Sequence, residues 1–98
     1  MASAGIVPNT IKTLCIQRGL QESEVPYTWE APEYKYDWTL FLTNAKNVEM
    51  ALLGCEGAPP EGVHRYLLIY SGATNRSSTG QLHSNDVYKL LEQAVLVS

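Results

Sequence analysis

The sequence predicts an α+β protein: an antiparallel sheet of three to four strands with an N-terminal and a C-terminal helix packed on one face, in the order α-β-β-β-(β)-α. Apolar residues recur with the 3.6-residue period of a helix near both termini. Between them, apolar residues alternate with period two and then form two short continuous runs, as strands do. All 98 residues are expected to form one domain, with residues 1–7 as a loose terminus.

The first helix is predicted to begin near Ile11 and to end at Gly19. A stripe at positions i, i+3, i+4 and i+7 consists of Ile11, Leu14, Cys15 and Arg18. Either Asn9 or Thr10 can cap the first turn, and glycine suits the left-handed residue that ends many helices. The spacing therefore predicts a short amphipathic helix.

The clearest strand is predicted from Tyr34 to Thr43. One face carries Tyr34, Tyr36, Trp38, Leu40 and Leu42, and the residues between them are mostly polar. A shorter β-prone run, Tyr27–Trp29, precedes it. An asparagine-rich turn at residues 44–47 favours a hairpin after it.

Residues 48–55 fit two interpretations. Val48, Ala51, Leu52 and Cys55 have helical spacing, whereas the short length, the preceding turn and Gly54 favour a strand. We favour the strand and leave the helix open. A further strand, buried on both faces, is predicted from Arg65 to Tyr70, and residues 71–83 are expected to form a flexible loop.

The last helix begins after Ser84, a natural N-cap, and Asp86 suits the positive end of the helix dipole. Its apolar stripe consists of Val87, Leu90, Leu91, Ala94 and Val95.

Charge and composition argue against several classes of protein. Seven bases and ten acids give a net charge of −3, and the bases are scattered rather than gathered into the basic stripe of typical nucleic-acid binders. No apolar stretch is long enough to span a membrane, and the N-terminus lacks the features of a secretory signal. A cytoplasmic or nuclear location is therefore expected.

The sequence contains no motif that predicts catalysis or a cofactor. Cys15 and Cys55 are not in a Cys-x-x-Cys arrangement and are expected to be structural. Cys55, His64 and His83 could meet in space, but their spacing is not that of a zinc site. His83, Ser84 and Asp86 are the residue types of a catalytic triad, but adjacency in sequence is not triad geometry. Helix capping accounts for Ser84 and Asp86. We therefore expect no enzyme activity and no metal.

The first half of the chain resembles the double-stranded-RNA-binding domain. In that family the first helix ends in a pattern like Leu-Cys-x-x-Arg-Gly-Leu, here Leu14–Leu20, and a Pro-x-Tyr variant starts the first strand, here Pro26–Glu30. Trp38–Leu42 resembles the second strand, so the resemblance covers residues 11–57. It implies the α-β-β-β-α order and an alternative function in which RNA phosphates contact Lys12, Arg18, Lys35 and Lys89.

Two segments depart from the family pattern. Residues 31–34 read Ala-Pro-Glu-Tyr where the family offers Gly-Pro-x-His to the minor groove. Residues 85–89 keep one lysine of the Lys-Lys-x-Ala-Lys cluster that grips phosphates. The chain is therefore more similar to members that serve as dimerisation or docking modules.

The leading prediction is a small non-catalytic protein-interaction module that binds another protein or a second copy of itself, with no role at a membrane. The aromatic cluster and the two apolar sheet faces suggest a surface that a partner covers, and residues 50–53 suggest an open strand edge. The predicted contact residues are Tyr34, Tyr36, Phe41, Met50, Leu52 and Leu53.

Overall fold

The computed structural model describes residues 4–24, 36–55, 65–71 and 79–97. Its elements are β1 (Ala4–Gly5), α1 (Asn9–Gln17), β2 (Gln21–Glu22), β3 (Trp38–Thr43), β4 (Glu49–Cys55), β5 (Arg65–Ser71), β6 (Thr79–Ser84) and α2 (Val87–Leu96). The predicted α+β class, with an antiparallel sheet and a helix towards each end of the chain, is confirmed. The predicted strand Tyr27–Trp29 and Tyr34 lie outside the described residues. The strand predicted from Tyr34 to Thr43 begins only at Trp38, because Tyr36 and Asp37 precede β3 without being part of it.

The sheet is an antiparallel meander of β3, β4, β5 and β6, in that spatial order. Two short strands lie along the outer edge of β3: β1 pairs with its first two residues and β2 with its last two. One border of the sheet is therefore occupied at both of its ends.

Both helices pack on the same face of the sheet, as the sequence predicts. The main hydrophobic core lies between the helices and this face. It includes Ile11 and Cys15 of α1 and one apolar stripe of α2. The remaining buried members of the core are Val7, Leu20, Trp38, Leu40, Leu42, Val48, Met50, Leu52, Leu68, Val87, Leu90, Leu91 and Ala94. Burial of this apolar area drives the helices onto the sheet.

The opposite face of the sheet has its own buried cluster, consisting of Phe41, Ala51, Leu53, Leu67 and Ile69, against which Tyr36 packs. Because β4 and β5 are buried on both faces, their sequences are continuous apolar runs.

Asn44 joins the turn between β3 and β4 to the end of α2. Its side-chain nitrogen donates to the carbonyl oxygens of Ala94 (3.0 Å) and Val97 (2.6 Å). Its side-chain oxygen accepts from the backbone N–H groups of Lys46 (2.9 Å) and Val48 (3.0 Å). This buried amide therefore uses all of its hydrogen-bonding capacity.

Residues 48–55 contain a strand, Glu49–Cys55, which resolves the ambiguity in favour of the strand.

Two other expectations, for the segments 1–7 and 71–83, are corrected. The segment 1–7 is not loose throughout, because β1 pairs with β3 and Val7 is buried in the core. The segment 71–83 is not entirely a loop, because Thr79–Ser84 forms β6. Leu82 is the only large apolar residue of β6, so period-two alternation is hard to detect there.

Candidate protein-interaction site

The predicted contact residues of β4 lie at the centre of the sheet. Met50 and Leu52 are 0% exposed on the helix face, and Leu53 is 3% exposed on the opposite face. Because β3 and β5 pair with the two sides of β4, the predicted open edge at residues 50–53 is wrong. An apolar run indicates burial on both faces, and in a meander such a strand lies inside the sheet.

The aromatic residues proposed for contact do not form one accessible surface with these leucines. Phe41 is 6% exposed and lies in the buried cluster of the opposite face, with Tyr36 half-buried beside it. Tyr34 lies outside the described residues. The structure therefore brings Phe41, Leu53 and Tyr36 together on one face, and Met50 and Leu52 on the other.

The unpaired border of the described sheet belongs to β6. The inner side of this strand pairs with β5 from Tyr66↔Ser84 to Ser71↔Thr79. Among the described residues, no strand pairs with its outer side. This contrasts with β3, whose outer side is occupied by β1 and β2.

The direction of the backbone groups can be followed from the other border. The N–H of Ser23 donates to the carbonyl oxygen of Phe41 (2.8 Å), so the peptide groups of Phe41 point away from β4. In an antiparallel ladder, alternate residues point to opposite neighbours. The even-numbered residues of β3, such as Leu40, therefore bond to β4. The N–H of Asn44 agrees, since it donates towards β4 at the carbonyl oxygen of Val48 (3.4 Å).

The same alternation continues across the sheet. Odd-numbered residues of β4 bond to β5, as in the pair Leu53↔Leu67, and even-numbered residues of β5 bond to β6, as in Leu68↔Leu82. The odd-numbered residues of β6 are left facing outward. We name this row the β6 edge: the backbone N–H and C=O groups of Thr79, Gln81 and His83.

The sequence of β6 lacks the charged residues and the proline that often protect a border strand. The strand contains no lysine, no proline and no other formally charged side chain. On the helix face, Leu82 is half-buried and Gly80 has the ring of Tyr70 beside it. A Cβ on that glycine would lie 2.3 Å from the Cζ atom of the tyrosine, so a side chain there would displace the ring. The strand is therefore formally neutral and has a position without a side chain on its helix face.

A cavity of about 400 Å³ lies where β4 and β6 end and β5 begins. Its described lining consists of Tyr36, Cys55, Arg65, Tyr66, His83, Ser84 and Asn85. The guanidinium group of Arg65 gives this cavity a positive charge, and no carboxylate side chain is among the described lining residues.

The two cysteines differ in their surroundings. Burial raises the pKa of the Cys15 thiol to about 12, so this thiol stays protonated in the core at neutral pH. Cys55 is half-buried and lines the cavity with His83. His64 lies outside the described residues. Within the described ranges, no cluster of His, Cys, Asp and Glu side chains could hold a metal ion.

The described cations among those proposed for RNA contact lie on or beside the two helices. The Cζ atom of Arg18 lies 5.6 Å from the centre of the Tyr88 ring, which joins the end of α1 to the first turn of α2. Lys89 follows that tyrosine and is exposed, whereas Lys12 is half-buried on α1. Lys35 lies outside the described residues. RNA binding through these residues stays a prediction.

Comparison with protein families, curated proteins and solved structures finds no match to this chain. The resemblance to the double-stranded-RNA-binding domain therefore also stays a prediction. In the described part of the chain, no helix is long and apolar enough to cross a membrane.

Proposed function

We propose that this protein is a non-catalytic interaction module that binds another polypeptide by strand addition along the β6 edge. The observation that carries the proposal is the outward row of backbone groups in a strand with no protective charge or proline. In strand addition, main-chain hydrogen bonds supply affinity and alternate side chains supply specificity.

The β6 edge is suited to this role because it is already held in place. Its inner side pairs with β5 over all six residues, and Leu68 and Ile69 of β5 are fully buried. A partner strand would therefore order only itself, which lowers the entropic cost of binding. Each new main-chain hydrogen bond contributes about 0.5–1.5 kcal/mol net.

Proline at position 81 tests the proposal. Gln81→Pro removes one outward N–H group and leaves the hydrogen bonds between β5 and β6 in place. Gln81→Ala is the matched control, because it removes the same side chain but keeps the N–H group. The probe is a set of extended peptides selected from a random display library against the wild-type protein.

We expect the selected peptides to bind the wild-type protein and Gln81→Ala, and to bind Gln81→Pro at least tenfold more weakly. Hydrogen exchange at residues 79, 81 and 83 should slow when a peptide is bound. Equal binding to Gln81→Pro, with unchanged exchange at these residues, would overturn the proposal. Circular dichroism of each variant verifies that the sheet is intact.

A further inference from the structure

We infer that the strand that occupies the β6 edge is β6 of a second copy of this chain, paired antiparallel about a two-fold axis at Gln81. This inference rests on the proposed function and names its partner. It follows from three properties of β6: its outward backbone row, its side chains on the helix face and its lack of charge.

The backbone row fixes the register. Two copies related by a two-fold axis perpendicular to the sheet pair residues of the same parity, and outward-facing residues must lie opposite one another. With Gln81 opposite its own copy, Thr79 lies opposite His83 and the reverse pair forms as well. All three outward residues of each copy are then used, giving about six hydrogen bonds. If one strand shifts by two residues in either direction, one outward residue of each β6 no longer lies opposite a residue of the other β6.

The helix face fits the same register. Leu82 of one copy would lie opposite Gly80 of the other, where there is no side chain and the ring of Tyr70 lies close by. This half-buried leucine would thus gain a tyrosine ring and lose contact with water. The fit occurs twice, because the two-fold axis repeats it.

Charge does not oppose the pairing. Along the strand, no formally charged side chain would face another across the axis, although the whole chain carries a net charge of −3. Glutamine would lie opposite glutamine, so no like charges meet directly. A single strand pair buries less surface than most stable dimers, so we expect a dimer that dissociates at micromolar concentration.

The first test is the molar mass in solution, measured by sedimentation equilibrium from about 1 to 500 μM. We expect the wild-type protein and Gln81→Ala to shift from monomer to dimer over this range. Gln81→Pro should dimerise more weakly, with its dissociation constant raised at least tenfold. Dimerisation of Gln81→Pro with the wild-type constant would overturn the inference.

A second test reports the register without relying on proline. In a Cys55→Ser background, Gln81→Cys places two thiols beside the two-fold axis, and a short bifunctional maleimide should link them into a covalent dimer. Thr13→Cys, on the exposed side of α1, is the matched control and should stay monomeric. Equal cross-linking of both variants would contradict the register.

The two proposals can fail separately. A wild-type chain that stays monomeric up to 500 μM, yet binds selected peptides in a manner that depends on position 81, overturns self-pairing and leaves strand addition standing. If Gln81→Pro does not weaken the dimer and the selected peptides bind elsewhere, both the strand-addition proposal and the self-pairing inference are overturned.

Discussion

The side chain of Asn44 donates a 3.0 Å hydrogen bond to the carbonyl oxygen of Ala94, fifty residues further along the chain. Carbonyl groups in the last turn of a helix have no partner within the helix. Here Asn44, in the turn between β3 and β4, supplies the donor. The Nζ atom of Lys46 donates a further hydrogen bond to the carbonyl oxygen of Leu96 (2.9 Å). The packing of α2 on the sheet is thus fixed by specific polar contacts as well as by apolar burial.

We expect Asn44→Ala to lower the free energy of unfolding by about 2–4 kcal/mol, because four hydrogen bonds are lost and buried groups are left unsatisfied. Denaturant titration followed by circular dichroism measures the change. Lys46→Ala removes a bond from an exposed amine and should cost less than about 1 kcal/mol. Equal losses in the two variants would contradict the role of the buried amide.

Asn44→Asp separates the donor from the acceptor function of this side chain. The carboxylate can still accept from the turn but would face the carbonyl oxygens at the negative end of α2. Because burial beside these oxygens disfavours the charged form, we expect the variant to be less stable at pH 7 than at pH 4, relative to wild type. A pH-independent difference between the two proteins would contradict this.

Gly54 leaves room for the indole ring of Trp38, which is its cross-strand partner. A Cβ on this glycine would lie 2.2 Å from the Cζ2 atom of the ring. We expect Gly54→Ala to lower the free energy of unfolding by about 1–3 kcal/mol, because the tryptophan must leave its position beside Tyr66. In a Trp38→Leu background the same change should cost much less, and a double-mutant cycle measures the difference. Equal costs in the two backgrounds would show that the ring does not cause the effect.

The buried thiol of Cys15 predicts a loss of stability at alkaline pH. Its pKa is about 12 in the folded chain, against an ordinary value of 9.0, so the unfolded chain releases this proton first. The contribution is fully present below pH 9 and is lost as the pH rises towards 12, at up to about 1.4 kcal/mol per pH unit. The measurement is the free energy of unfolding at pH 8, 9 and 10.

Cys15→Ala is the control for that prediction, since it removes the titrating group. This variant is expected to be less stable at pH 8 because of the cavity, but to lose less stability between pH 8 and 10 than the wild-type chain does. Parallel curves for the two proteins would rule out the thiol as the source of the pH dependence.

The helices and β3 could be predicted from the sequence because their burial leaves a periodic pattern, whereas β4 and β5, which are buried on both faces, were predicted from apolar runs. In α2, the stripe Val87, Leu90, Leu91 and Ala94 is the buried face, and only Val95 of the predicted set lies at its exposed margin. In α1, the predicted stripe ends at Arg18, which stacks on Tyr88 instead of entering the core. The pattern of a helix thus reveals its buried face but not the partner of a residue at its end.

The proposed binding edge, β6, could not be predicted in the same way. Residues 50–53 are apolar because both faces of β4 are buried, whereas β6 is largely polar because side chains such as Gln81 and His83 are exposed. An apolar run therefore identified the middle of the sheet rather than its border. The available signal was weaker: Leu82 lies between polar residues, and Asp86, the N-cap of α2, follows four residues later.

If copies of this chain pair along the β6 edge, the pairing of β1 and β2 with the outer edge of β3 would limit how many of them can join. A unit with two open ends can grow into a filament, as monomers do in step-growth polymerisation, whereas a monofunctional unit stops after one coupling. With one border occupied, strand addition at the other would close on itself after two copies. The two short strands would thus act as the end group that keeps self-association finite.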